Sequence, residues 1–126
     1  MAADPRYLID SNIGIYLIRG TAPLASKRLA KCELGSVVTS SICLAEMLLG
    51  RGTNERRAVA AMLHYIEIMP FDADAAETYS TLQFKRRSYD RLIGAHALTL
   101  GLTLITANEA DFTDIPGLLI EDWTCE

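Results

Sequence analysis

The chain has 126 residues, half of them hydrophobic, and a formal net charge of −4. That length fits one domain over residues 1–126, and that share of apolar side chains supports a core rather than disorder or low complexity. Net acidity argues against holding nucleic acid by bulk charge, yet leaves a nuclease open, because acids that ligate a cation have their charge cancelled. Cys32, Cys43 and Cys125 form no C-x-x-C pair. A disulfide framework or zinc site is therefore not expected, and a reducing, cytoplasmic setting is. No signal segment is read at the start, and no apolar run nears the ~18 residues of a membrane span.

From the N-terminus, residues 6–9 read as a short buried strand and residues 11–18 as a helix that Ser11 or Asn12 can cap. Gly20-Thr21-Ala22-Pro23 is a break. Residues 24–34 read as a helix stopped at Gly35, and 36–39 as a second strand. A helix over 40–49 ends at Gly50, and Thr53 caps a longer one to about residue 65. Residues 66–69 form a third strand stopped by Pro70. Asp72 or Asp74 opens a helix to about Phe84, 85–88 make a basic joint, and 90–100 form a helix ending at Gly101. Residues 102–106 read as a fourth strand, 108–112 as a turn of helix and 118–121 as a last short strand. Alternating strands and helices predict an α/β chain with a parallel sheet covered on both faces.

Four acids fall at related places. Asp10 ends the first strand, Glu46 lies inside an apolar helix, Asp90 opens another, and Asp111 follows the fourth strand. A parallel sheet gathers the C-terminal ends of its strands on one edge, where ligands bind. Two like charges ~4 Å apart repel by roughly 4 kcal/mol at an effective dielectric of about 20. Converging acids therefore hold protons more tightly or bind a cation. An all-oxygen pocket suits Mg²⁺ or Mn²⁺ and points to metal-assisted chemistry on a phosphate ester. Each acid also has a plain structural reading: Asp10 and Asp90 as helix caps, Glu46 on a narrow solvent face, Asp111 in a surface turn.

Ser11, Asn12, Thr106 and Asn108 offer neutral hydrogen bonds behind the acids. Lys85, Arg86, Arg87 and Arg91 are the densest basic stretch, beside Asp90; they read as a solvated helix end or as a grip on substrate phosphates. His96, among Ala and Leu, reads as a structural histidine. Residues 13–18 are almost wholly apolar, as core packing or as a groove for a partner helix.

Together these segments resemble the PIN-domain ribonucleases, most closely the VapC-type toxins of prokaryotic toxin–antitoxin modules. The motifs are Tyr7-Leu8-Ile9-Asp10-Ser11-Asn12-Ile13, then Ser40 to Gly50 around Glu46, then Asp90-Arg91-Leu92-Ile93-Gly94-Ala95-His96-Ala97 with Gly101-Leu102-Thr103-Leu104-Ile105-Thr106, and last Asp111-Phe112 through Trp123. The resemblance implies a PIN-like α/β/α sandwich with a central, mostly parallel sheet of four to five strands. It implies a Mg²⁺- or Mn²⁺-dependent ribonuclease, a hydrolase, with Asp10, Glu46, Asp90 and Asp111 as its acidic quartet. Asp10 and Asp90 are then the direct metal ligands, and Glu46 and Asp111 bind directly or through water; on the phosphate-grip reading above, Lys85, Arg86, Arg87 and Arg91 are the RNA-binding residues, in a stretch shorter and more basic than many relatives have. A cognate antitoxin covering the pocket and a homodimer are the implied partners, in a prokaryotic cytoplasm. Ser11 stands where the family usually has Thr, and Ala107 where Asn is frequent.

Two other phosphate chemistries fit less well. A haloacid-dehalogenase-like phosphatase needs a second Asp where Asn12 stands, and a receiver domain needs a Lys where Thr106 stands. A non-catalytic binding module on the same fold, or another metal-dependent phosphoesterase, is the remaining alternative.

Overall fold

The computed structural model describes residues 2–83 and 88–125. Strand β1 (Tyr7–Ile9) leads into α1 (Ser11–Arg19) and α2 (Pro23–Ala30). Then come β2 (Val37–Ser40), α3 (Ser41–Leu48), α4 (Thr53–Met62), β3 (Glu67–Met69) and α5 (Ala73–Thr81). The chain closes with α6 (Tyr89–Leu100), β4 (Thr103–Ile105), a 3-10 turn (Glu109–Phe112) and β5 (Ile120–Glu121). The five strands lie in the order β3-β2-β1-β4-β5, every neighbouring pair parallel. This is the expected helix-flanked parallel sheet.

Because β1 is central, the chain builds outward to one side through β2 and β3, then returns to build β4 and β5 on the other. The reversal of direction between β1 and β4 opens a crevice at their C-terminal ends. The central strands can sit there because Leu8, Ile9, Val37, Val38, Leu104 and Ile105 are apolar and buried on both faces. Two glycines let helices approach closely. A Cβ on Gly14 would lie 2.3 Å from Met47 Sδ, so α1 and α3 touch there; one on Gly94 would lie 2.3 Å from Ile115 Cδ1, where α6 meets the segment after the 3-10 turn.

Several ends differ from the expectation. The cap of α1 is Asp10, as its plain structural reading had it, rather than Ser11 or Asn12: Asp10 Oδ1 accepts the Ile13 N–H at 3.1 Å. Helix α2 stops at Ala30, four residues early: the Lys31 and Cys32 N–H groups bond the Arg28 and Leu29 carbonyls, three residues back, at 3.2 and 3.0 Å, which closes the helix in a tight last turn. Gly52, not Thr53, stands at the start of α4, and α4 ends at Met62. Ser88, not Asp90, caps α6 by accepting the Arg91 N–H at 3.4 Å. Helix α5 ends at Thr81, short of the expected Phe84, because Leu82 turns to extended backbone at ψ 141°. In α1, Ile13, Gly14 and Ile15 are buried and Tyr16, Leu17 and Ile18 pack on the core, so the apolar first helix is core material.

Candidate active site

Asp10 leaves β1 at the crevice, and Thr106 leaves β4 directly beside it. The Thr106 hydroxyl donates to Asp10 Oδ2 at 2.5 Å and accepts the Asn108 N–H at 3.0 Å. Asp10 is thus gripped by the cap on one oxygen and by a hydroxyl on the other, with only 4% of its surface exposed. Burial raises its pKa above the usual carboxylate value; the Thr106 and Ile13 bonds oppose that, and the charge of Asp90 adds to it.

Glu46 is half-buried on α3. The α1–α3 contact at Gly14 brings Ser11 to it, and the Ser11 hydroxyl donates to Glu46 Oε1 at 3.0 Å. Burial raises the Glu46 pKa, and the charges of Asp90 and Asp10 raise it further. Both ends of α3 are pinned. Ser40 Oγ accepts the Ile42 N–H at 3.0 Å, while Arg51 Nε and an Arg56 amino group donate to the Met47 and Leu48 carbonyls at 3.3 and 3.1 Å.

Asp90 sits in the first turn of α6. Burial raises its pKa and Asp111 raises it again, while Arg91 pulls it down. Asp111 is exposed, at the rim beside Asp90. Asp10, Glu46 and Asp90 therefore share one electrostatic field, with Asp111 joined to it through Asp90. Of the neutral residues, Ser11 and Thr106 hold the acids with their hydroxyls. Asn108 contributes its backbone N–H, and Asn12 is exposed and reaches Asp10 through its backbone.

The basic stretch divides. Lys85, Arg86 and Arg87 lie outside the described residues. Arg91, expected to face RNA, is instead turned onto the next segment: its guanidinium donates to the Asp111 carbonyl and pairs with Asp114, and only 15% of its side chain is exposed. It ties α6 to the turn that carries Asp111. Arg91's partners lie 20 and 23 residues away, so no local pattern signals the tie. The pinning of α3 was missed too, although Ser40 before an apolar helix is a readable cap.

Among the described residues, no three His, Cys, Asp or Glu side chains stand close enough to form a ready cage for a metal ion. The donors are all hard oxygens; burial raises the proton affinity of each, and the charges of neighbouring acids raise it further. Mg²⁺ keeps several waters and needs only one or two carboxylates. The residues present fit such an ion.

The family model for the PIN domain matches residues 7–118. Ribonuclease VapC1 of Rickettsia felis is 33% identical over an alignment of 126 positions that covers 88% of this chain and 91% of that protein. The tRNA(fMet)-specific endonuclease VapC of Salmonella typhimurium is 28% identical over an alignment of 130 positions that covers 94% of this chain and 98% of that protein. Among solved structures, DNA-bound VapBC from Salmonella typhimurium has a TM-score of 0.82 at 26% identity, covering 94% of this chain and 98% of that one. VapBC2 from Rickettsia felis, bound to a promoter DNA fragment, has a TM-score of 0.80 at 27% identity, covering 93% and 98%.

Proposed function

This chain belongs to the PIN-domain family, and from that premise we propose that it is a metal-dependent endoribonuclease, the toxin of a toxin–antitoxin pair. The observation that carries the reading is the shared field of Asp10, Glu46 and Asp90 at the β1–β4 crevice. Asp10 and Asp90 would hold Mg²⁺ or Mn²⁺, with Glu46 and Asp111 acting directly or through water. When bound, such an ion supplies a more acidic water and neutralises charge at the scissile phosphate.

The rest falls to the chain's own residues. Thr106 and the Ile13 N–H fix the orientation of Asp10, and Ser11 fixes that of Glu46. Glu46, with its raised proton affinity and half-open setting, is suited to take the proton from the attacking water. In-line attack by water leaves a 5′-phosphate and a 3′-hydroxyl. The solved relatives named VapBC support an antitoxin as partner. A homodimer belongs to the same reading. Relatives named for tRNA(fMet) make that RNA the first substrate to try.

The test is incubation of antitoxin-free protein with total RNA and with tRNA(fMet), in Mg²⁺, Mn²⁺ or EDTA, beside Asp90→Ala. Discrete products with 5′-phosphates, lost on chelation and in the variant, are expected. Products ending in a 2′,3′-cyclic phosphate, or cleavage that survives in Asp90→Ala, refute the mechanism. A folded wild type that cleaves nothing with either ion favours a binding module.

A further inference from the structure

We propose that His96 is a positioning residue that sets Glu46 against Asp90, acting through the Ser40 hydroxyl. The proposal rests on the ribonuclease reading of the crevice and deepens it. His96 lies in the middle of α6 with 1% of its surface exposed, and its Nδ1 is 2.8 Å from Ser40 Oγ. Ser40 Oγ already accepts the Ile42 N–H. Its hydrogen remains to be donated, and Nδ1 is the acceptor beside it. That assigns the neutral tautomer with a bare Nδ1 and the proton on Nε2. The remaining N–H meets the Pro70 carbonyl, just after β3. Phe71 stands edge-on to the imidazole, ring centroids 5.4 Å apart, and its own N–H is accepted by Ser41 Oγ at 2.9 Å.

One ring thus joins three segments: α6, which carries Asp90; the cap of α3, which carries Glu46; and the exit from β3. An apolar side chain of similar size fills the space but leaves the Ser40 hydroxyl and the Pro70 carbonyl without their partner. The lever is short. Glu46 lies six residues beyond Ser40, about 9 Å along the helix axis, so a tilt of about 5° at the cap moves the carboxylate by about 0.8 Å. Misplacing a catalytic group by ~1 Å costs on the order of 10²-fold in rate.

The experiment compares wild type with His96→Leu, His96→Asn and Ser40→Ala. It reads folding by circular dichroism, kcat and KM for RNA cleavage, Mn²⁺ affinity by titration without RNA, and the imidazole tautomer by ¹⁵N NMR. His96→Leu is expected to lose kcat about 10²-fold with KM little changed. His96→Asn, which keeps an acceptor near the Nδ1 position, recovers most of that loss. Ser40→Ala reproduces it, and the double variant adds nothing further. The wild-type ring shows the Nε2–H tautomer.

A folded His96→Leu with wild-type kcat and Mn²⁺ affinity, additive losses in the double variant, or an Nδ1–H tautomer overturns the proposal. If His96→Leu does not fold, Ser40→Ala and the tautomer decide. A wild type that neither cleaves RNA nor binds Mn²⁺ fails at the ribonuclease reading instead, and takes the proposal with it.

Discussion

Replacing Thr106 by Val keeps the shape of a fully buried side chain and removes one hydroxyl. That hydroxyl holds Asp10 Oδ2 at 2.5 Å and receives the Asn108 N–H at 3.0 Å. Losing a hydrogen bond to a charged group costs about 1.5–3 kcal/mol, and losing a neutral one about 1 kcal/mol. With Asp10 ionised, Thr106→Val should therefore destabilise the metal-free protein by about 2–4 kcal/mol, a large part of the ~5–15 kcal/mol typical of a domain. The cost depends on pH. Asp10 already has a folded-state pKa above its unfolded value, so its contribution is stabilising below the unfolded pKa and is lost as pH rises through the folded one. Val pushes that folded pKa higher still, so the variant loses more. The gap opens above the wild-type pKa of Asp10 and is complete above that of the variant. Urea midpoints of both proteins, from acid to neutral pH without divalent ions, measure it. A gap of the same size at every pH, or none at all, refutes the claim that Thr106 senses the charge on Asp10.

Three further outcomes follow from the same geometry. Gly94→Ala gains about 1 kcal/mol of helix propensity but drives a Cβ to 2.3 Å from Ile115 Cδ1. At an overpacking cost of about 1–3 kcal/mol it should lower stability on balance, and a rise in the urea midpoint would contradict the close contact. Asp90→Asn removes a charge that burial and Asp111 disfavour. By the same sign it should raise the metal-free melting temperature at neutral pH, on the order of 2 °C, with the gain vanishing below the unfolded carboxylate pKa; a fall at neutral pH counts against the shared field. Burial pushes the Cys43 thiol up to about 12 while Cys125 is exposed, so a thiol reagent should label Cys125 in the native protein and Cys43 only after unfolding. Mass spectrometry of the labelled peptides checks this.

The parallel sheet was legible because Leu8, Ile9, Val37, Val38, Leu104 and Ile105 are apolar runs bounded by turn residues, and fully buried strands write that pattern directly. Helix ends were less so. Ser11, Asn12 and Asp10 are all good cap residues, and the choice fell on the one whose side chain faced back to Ile13. Residues 31–34 carry no helix breaker, yet the chain leaves α2 through i→i−3 bonds at Lys31 and Cys32, and Leu34 O then meets the Ala3 N–H, a partner remote in sequence. The grouping of Asp10, Glu46 and Asp90 could be anticipated because each sits near a strand end on one edge of the sheet. What Arg91 and His96 touch could not, since their partners come from segments 20 to 56 residues away.

Asp10 starts the first helix and stands at the centre of the crevice with the same carboxylate. Folding and chemistry are therefore linked there, and the replacement decides how far. Asn keeps an oxygen for the Ile13 N–H, whereas Ala discards the cap at a cost of about 1 kcal/mol along with the charge. Position 90 carries no such double duty, because Ser88 does the capping. Changes that silence the crevice without costing stability are therefore expected at Asp90 before Asp10. The order in which an activity decays can be written into which of its residues also hold up the backbone.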